Sequence, residues 1–375
     1  MQTSKVKMAT QTLTLIMLLL LSTTFHLSTA QNKVKGAYYF PESEFPVTSI
    51  KATLFTHLFC AFAALNSTTN KISISSSCSS FTSTIRQSNP SIITLLSIGG
   101  GSSNPSTFSS MASQSSSRTS FINSCISTAR NNGYYGIDID WEYPASTTDM
   151  KNFCTLITEC RAAITKEAQS SGKTPLLLTS AVSATPTLNS PSYPVSCINT
   201  NMDFVNIMAY DFDAPSYTPQ VTSAHAALYN PSGGVSGSSG ITAWTTAGLQ
   251  ASKIVLGLPF YGYAWQLQNP ANHGLGAPAN GVATATGVGI DTDGSITFID
   301  IKSFNSNSGA TTVYNSTYVV NYCYSGNTWI GYDDVDAIGA KVSYVKSKAL
   351  RGYFAWSVGG DYNWTLSQKA STTLG

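Results

Sequence analysis

Short apolar runs of strand length recur along the chain, and most are separated by polar stretches long enough to hold a helix. Strands are predicted at Val34–Phe40, Leu54–Ala63, Ile92–Ile98, Tyr135–Tyr143, Thr174–Ala181, Phe204–Tyr210, Ile254–Phe260 and Arg351–Ser357. Between the third and fourth, Phe121, Cys125 and Ala129 share one face of a helix over Phe121–Asn131. Between the fourth and fifth, Phe153, Leu156, Ile157, Cys160, Ile164 and Ala168 repeat at helical spacing, and Asp149 suits the start of that helix. A third helix, Val335–Lys348, turns Ile338, Val342 and Val345 inward before the last strand. Eight strands alternating with helices is the count of a closed parallel barrel, so the fold class is α/β, a (β/α)8 TIM barrel. An open doubly wound sheet leaves unexplained why polar residues gather at so many strand ends.

One connection is out of proportion: Gly262 to Gly331, about seventy residues, is too long for a structureless loop. It holds strand-like pieces at Ser295–Ile299, Thr312–Tyr314, Val319–Tyr324 and Thr328–Tyr332. Residues 262–331 therefore read as a small α+β insertion between strand 7 and helix 7, rising from the rim as one wall of a groove.

The fourth strand carries the chemistry. In Gly136-Ile137-Asp138-Ile139-Asp140-Trp141-Glu142-Tyr143-Pro144 the acids stand two residues apart, so Asp138, Asp140 and Glu142 point one way. Ile137, Ile139 and Trp141 point toward covering helices. In a barrel the acids then face the axis, with Glu142 nearest the carboxyl-terminal mouth, where barrel enzymes keep their chemistry. Such a row is costly unless its members share protons and accept hydrogen bonds. Crowding raises the proton affinity of at least one of them, which a general acid requires. At about 3.3 Å per residue, Asp140 lies roughly 7 Å and Asp138 roughly 13 Å from Glu142 along the strand. Glu142 is thus the proton donor to a departing oxygen, and Asp138 is placed to share a proton or hydrogen bond with Asp140. The strand supplies no opposing carboxylate of the kind a two-acid glycosidase uses. Either another strand provides the nucleophile, or an N-acetyl carbonyl of the substrate attacks its own C1.

Composition narrows the partner. Charged residues are only 10% of the chain, 20 basic against 18 acidic, and no basic run offers a nucleic-acid footprint. Hydroxyls and amides suit a neutral ligand. Lys5 and Lys7 precede the apolar run Leu13–Leu21, and Ser28-Thr29-Ala30 follows with small residues where a signal peptidase reads. Residues 1–30 are therefore expected to be a signal peptide, leaving a catalytic barrel over 31–375 that is secreted to the extracellular space or the vacuole and has no membrane span. Seven cysteines fit an oxidising compartment, and their odd number leaves at least one unpaired within the chain. With no Cys-x-x-Cys pair and with His57, His225 and His273 dispersed, neither a metal nor another cofactor is expected. Asn66, Asn315 and Asn363 begin N-glycosylation triplets.

These motifs, in this order, resemble glycoside hydrolase family 18, and within it the plant class V chitinases. The family's Asp-x-x-Asp-x-Asp-x-Glu is similar to Tyr135 through Glu142, and the likeness extends from Val34 to Ser371. It includes Ser97-Ile98-Gly99-Gly100, Met208-Ala209-Tyr210-Asp211, Leu258-Pro259-Phe260-Tyr261-Gly262 and Phe354-Ala355-Trp356-Ser357. The resemblance implies endo-acting, retaining, substrate-assisted cleavage of β-1,4-linked N-acetylglucosamine polymers through an oxazolinium ion. It implies that Glu142 is the acid and then the base, that Asp140 orients the acetamido group, and that Asp138 tunes Asp140. Tyr210 would donate to the acetamido oxygen. Asp211, Trp356, Met208 and Tyr39 would contact substrate, Trp356 as the floor beneath the sugar.

The partner expected is chitin or its oligosaccharides, bound by a monomer. Departures from the family pattern are Tyr135 at the first acid, Tyr39 where Trp is frequent, and Asp213 where an aromatic is common. They motivate a second reading, a chitinase-like lectin that binds N-acetylglucosamine glycans and cuts them weakly or not at all.

Overall fold

The computed structural model describes residues 33–41, 45–188, 190–285 and 288–375, so the expected leader lies outside the described residues. The apolar runs form eight parallel strands: β1 (Val34–Tyr39), β2 (His57–Leu65), β3 (Ile93–Gly99), β4 (Gly136–Asp140), β5 (Leu177–Ser183), β6 (Phe204–Met208), β7 (Ile254–Pro259) and β8 (Gly352–Trp356). Each pairs with the next, and β1 pairs with both β2 and β8, which closes the ring. The fourth strand is shorter than its sequence pattern suggests. It ends at Asp140, and Glu142 stands in the rim turn beyond it.

Alternation along these strands builds two cores. Inward residues, among them Tyr38, Phe59, Leu95, Phe204, Val255 and Phe354, pack with one another inside the ring. Outward residues meet the helices. Trp141, only 2% exposed, stacks on Phe108 at 5.7 Å and meets Phe153 edge-on at 6.3 Å. Truncating such a ring costs about 3–5 kcal/mol.

The helix Thr147–Ser171 shows how the sequence directs its cover. Ser146 caps it by accepting from the Asp149 amide at 3.0 Å. Met150, Phe153, Leu156, Ile157, Cys160, Ile164 and Ala168 form its buried stripe, and Gly172 in the left-handed region ends it. The helix predicted at Phe121–Asn131 begins earlier, at Ser115. Helices at Ser76–Ser88, Pro105–Ser113, Val195–Asn201, Gly237–Thr246, Val335–Ser347 and Thr365–Leu374 complete the cover. Disulfides Cys60–Cys78 and Cys154–Cys197 pin β2 to the first of these and the long helix to Val195–Asn201, while Cys125, Cys160 and Cys323 are free and buried.

After β7 the chain leaves the barrel. A six-stranded antiparallel sheet runs from Tyr261 to Tyr332, with a helix at Phe298–Ser308 against one face. Its central strand, Tyr261–Leu267, alternates strictly: Tyr261, Tyr263, Trp265 and Leu267 share one side, while Gly262 backs onto Ile301 of the helix. The piece expected as strand over Ser295–Ile299 divides, since Phe298 and Ile299 open that helix.

Candidate active site

At the carboxyl-terminal mouth lies a cavity of about 500 Å³. Asp140, Glu142, Met208, Tyr210, Asp211 and Trp356 line it, together with Tyr38, Phe40, Phe62 and Tyr143. Six of the eight residues singled out from sequence therefore meet in one cavity.

Asp138 lies at the next level down and is wholly buried. Strand register explains its partners. Ser97 on β3 and Thr179 on β5 stand directly beside it, so all three side chains project inward. Ser97 donates to Asp138 Oδ2 at 2.7 Å, Thr179 to Oδ1 at 2.6 Å, and the Tyr38 hydroxyl to Oδ2 at 2.8 Å. Asn206 in turn donates to the Tyr38 oxygen at 2.8 Å. Burial pushes the Asp138 carboxyl above its ordinary range, and the three hydroxyls pull against that shift. The spacing argument had Asp138 sharing a proton or hydrogen bond with Asp140; in the structure three hydroxyls donate to Asp138, and it raises Asp140 through charge.

Asp140 turns toward the mouth and is joined by a hydrogen bond to Glu142. Its other neighbours fix the backbone. The Gly100 amide donates to the Asp140 carbonyl at 2.9 Å, and a Cβ on Gly99 would fall 2.1 Å from that oxygen. Burial, then the negative charges of Glu142 and Asp138, push Asp140 well above the carboxylate range. Burial also raises Glu142, with the Asp140 bond offsetting part of the rise. The pair therefore retains a proton into pH values where an exposed carboxyl has lost it. Asp140 Oδ1 is buried and has no partner among the described residues.

Tyr210 is held in its protonated form by burial and by Asp211, Asp140 and Glu142. Its ring has room because residue 257 is glycine, whose Cβ would sit 2.7 Å from the ring. Asp211 follows with φ 59°, and its Oδ1 accepts from the Tyr261 and Tyr263 hydroxyls of the insertion, the latter at 3.1 Å. The Tyr217 hydroxyl donates to the Asp211 carbonyl at 2.7 Å. Trp356 stacks on Phe62 at 5.6 Å and approaches Tyr38 and Phe40, giving a half-buried aromatic floor.

Tyr39 does not belong to the site. The alternation that turns Tyr38 inward turns Tyr39 outward, where it stacks on Phe81 at 5.5 Å and donates to the Phe45 carbonyl. The ring lining the cavity from that segment is Phe40. Tyr135, at the family motif's first acid, is exposed at the opposite end of β4 and lies under Arg86. Asp213 is absorbed by its own loop, accepting from Thr218 and Ser223. Tyr38, Thr179 and Asn206 were missed in the sequence, although strand parity and register would have shown them. Among the described residues no three His, Cys, Asp or Glu side chains are grouped as a metal requires.

A family profile described as glycosyl hydrolases family 18 matches residues 34–361. The chain is 50% identical over 368 residues to a class V chitinase of Arabidopsis thaliana, covering 97% of this chain and 95% of that one. The crystal structure of a mutant class V chitinase from Nicotiana tobaccum in complex with NAG4 is 50% identical, with a TM-score of 0.89 over 92% of this chain and 99% of that one. A chitinase-like agglutinin from Robinia pseudoacacia is 45% identical, with a TM-score of 0.84 over 91% and 100%.

Proposed function

Because the chain belongs to glycosyl hydrolase family 18, we propose that this glycoside hydrolase cuts within β-1,4-linked N-acetylglucosamine chains by a retaining, substrate-assisted route. The observation that carries the reading is the Asp140–Glu142 pair at the cavity: one proton-retaining couple, with Asp140 Oδ1 left as a free buried acceptor. The sugar's acetamido N–H fills that acceptor, and the Tyr210 hydroxyl donates to the acetamido oxygen. The oxygen attacks C1 as the C1–O bond breaks, and Glu142 gives its proton to the leaving oxygen. A water then attacks C1 from the vacated side, Glu142 takes its proton, and the oxazolinium reopens with the original configuration. Asp211 is not the nucleophile in this reading: the Tyr261 and Tyr263 hydroxyls donate to its Oδ1 and lower its nucleophilicity. Trp356 lies beneath the sugar, where C–H faces meet an aromatic plane. The NAG4 complex of the Nicotiana relative supports oligosaccharide as the ligand.

The test is a time course on N-acetylglucosamine hexamer beside Glu142→Gln. The wild type releases β-anomer first, and the variant keeps its fold and releases nothing. Initial α-anomer, or equal turnover by the variant, defeats the mechanism. Saturable binding without released reducing ends would instead place the protein with the Robinia agglutinin. Export is proposed on the leader pattern at residues 1–30, with two disulfides supporting an oxidising destination. Of the glycosylation triplets, Asn66 and Asn363 are exposed and Asn315 is half-buried.

A further inference from the structure

His225 lies outside every motif used so far, yet it is 2% exposed and neither ring nitrogen has a hydrogen-bond partner among the described residues. Leaving both positions unfilled in a buried imidazole is costly unless the arrangement completes itself in another state. Its surroundings show where completion comes from. The Phe212 amide donates to the His225 carbonyl at 2.8 Å, which folds the loop back and sets the imidazole beside Asp211. Nδ1 is 3.8 Å from Asp211 Oδ1. The ring is wedged between Tyr261 and Tyr263, each 5.1 Å away, whose hydroxyls donate to that same oxygen. Asp333, fully buried with one oxygen unpartnered and the other bonded to Lys341, interacts with His225 through charge. Lys341 also donates to the carbonyl of Ala226, the residue after His225, at 2.5 Å. The groups around the imidazole are therefore Asp211, Tyr261, Tyr263 and Asp333, with Lys341 acting through Asp333.

We propose that His225 is a positioning residue for the reaction, its imidazole closing onto Asp211 when sugar binds and fixing that carboxylate against the substrate. The inference rests on the reading that Asp211 contacts the sugar. A movement of about 0.8 Å brings Nδ1 to hydrogen-bond distance of Oδ1, as a third donor beside the two tyrosine hydroxyls or in place of the longer one from Tyr263. The Asp211 side chain is 47% exposed; a sugar covering it excludes water and strengthens the attraction of an N–H donor. The two tyrosine rings prevent the imidazole from turning elsewhere, and the Lys341–Ala226 bond holds its backbone. His225 thereby acts on the reaction without touching substrate.

The test compares His225→Phe, which keeps a ring between the tyrosines but has no nitrogen, with His225→Gln, which restores a donor. Hexamer kinetics are measured across pH, and tetramer affinity by calorimetry in the Glu142→Gln background. His225→Phe should raise KM and weaken tetramer binding about tenfold, the scale of one hydrogen bond to a charged group, with kcat within about threefold. Its kcat/KM profile should change shape with pH, and His225→Gln should recover most of the affinity. Wild-type KM and pH profile in His225→Phe overturn the proposal. So does an equal loss in both variants with lowered Tm and an unchanged profile, which assigns the ring to packing alone. A wild type that binds tetramer without cutting hexamer removes the hydrolytic reading and leaves the affinity arm to decide His225. A wild type that does neither overturns both.

Discussion

Two of the places where acids are buried among the described residues hold them by opposite means. Asp333, directly after the last strand of the insertion, is fully buried and bonded to Lys341, itself 3% exposed. Asp138 and Asp140, inside the barrel, are 0% and 3% exposed, and no lysine or arginine lines the cavity above them. Burial pushes the carboxyls upward in both places. At Asp333 the lysine works against that push; at Asp140 the nearest charges are acids, and they add to it. A cation would have stabilised the barrel acids as carboxylates and removed the proton that Glu142 delivers in the proposed mechanism. Hydroxyls hold Asp138 and offset only part of its rise, and they place no positive charge beside the pair. In the proposed mechanism a cavity with no lysine or arginine in its lining keeps that proton, while the ion pair at Asp333 is a fastening.

Asp140→Asn is the largest test of this contrast. It should lower kcat on the hexamer by about 10²- to 10⁴-fold, the usual worth of a positioned acid–base group, and leave the fold intact. Near-normal initial rates would abolish the distinction. Lys341→Met comes next. It strands a buried carboxylate and should destabilise the protein by about 3–5 kcal/mol in urea unfolding. Adding Asp333→Asn should recover much of that loss; if the double variant is no better, the pair is not the source of the stability.

Thr179→Val removes one of three donors to Asp138 and should cost about 1–2 kcal/mol, read as a lower urea midpoint. The mildest effect is on the pH dependence of stability. A carboxyl raised on folding keeps its proton longer in the native state, so the native state binds more protons than the unfolded chain. Stability from Asp138, Asp140 and Glu142 is therefore full below their ordinary range, about pH 4, and declines as pH rises toward their raised values. Thermal scans across that interval should show a flatter dependence in Asp140→Asn than in the wild type. A wild type whose stability climbs there while the variant's does not would reverse the sign.

The barrel and its acidic strand were legible because strand alternation is a short-range rule. Ile139 and Trp141 outward, Asp138 and Asp140 inward, follow from the residues themselves. The same rule, applied to β1, would have kept Tyr39 out of the site and admitted Tyr38. Several helices were less visible. Ser76–Ser88 and Gly237–Thr246 are rich in serine and threonine, whose low helix preference and weak polar contrast hide stripes such as Phe81 and Ile85 or Ile241 and Trp244. Their ends were better marked, by Ser75 and by the reciprocal Ser236–Ser239 cap. The grip of Tyr261 and Tyr263 on Asp211 joins segments some fifty positions apart, and only the folded sheet reveals it.

The ring is sealed by a late piece of chain. β8 lies between β1 and β7 and brings Trp356 with it. While a ribosome is still reading codons before Gly352, the emerging sheet has two raw flanks, β1 and β7, each with a row of amides seeking a mate. A message stopped there yields a polypeptide that has nearly all its acids and tyrosines but neither a closed wall nor the Trp356 ring that lines the cavity. Such a product is expected to self-associate along those flanks, so near-complete synthesis is worth little until the final strand slots in.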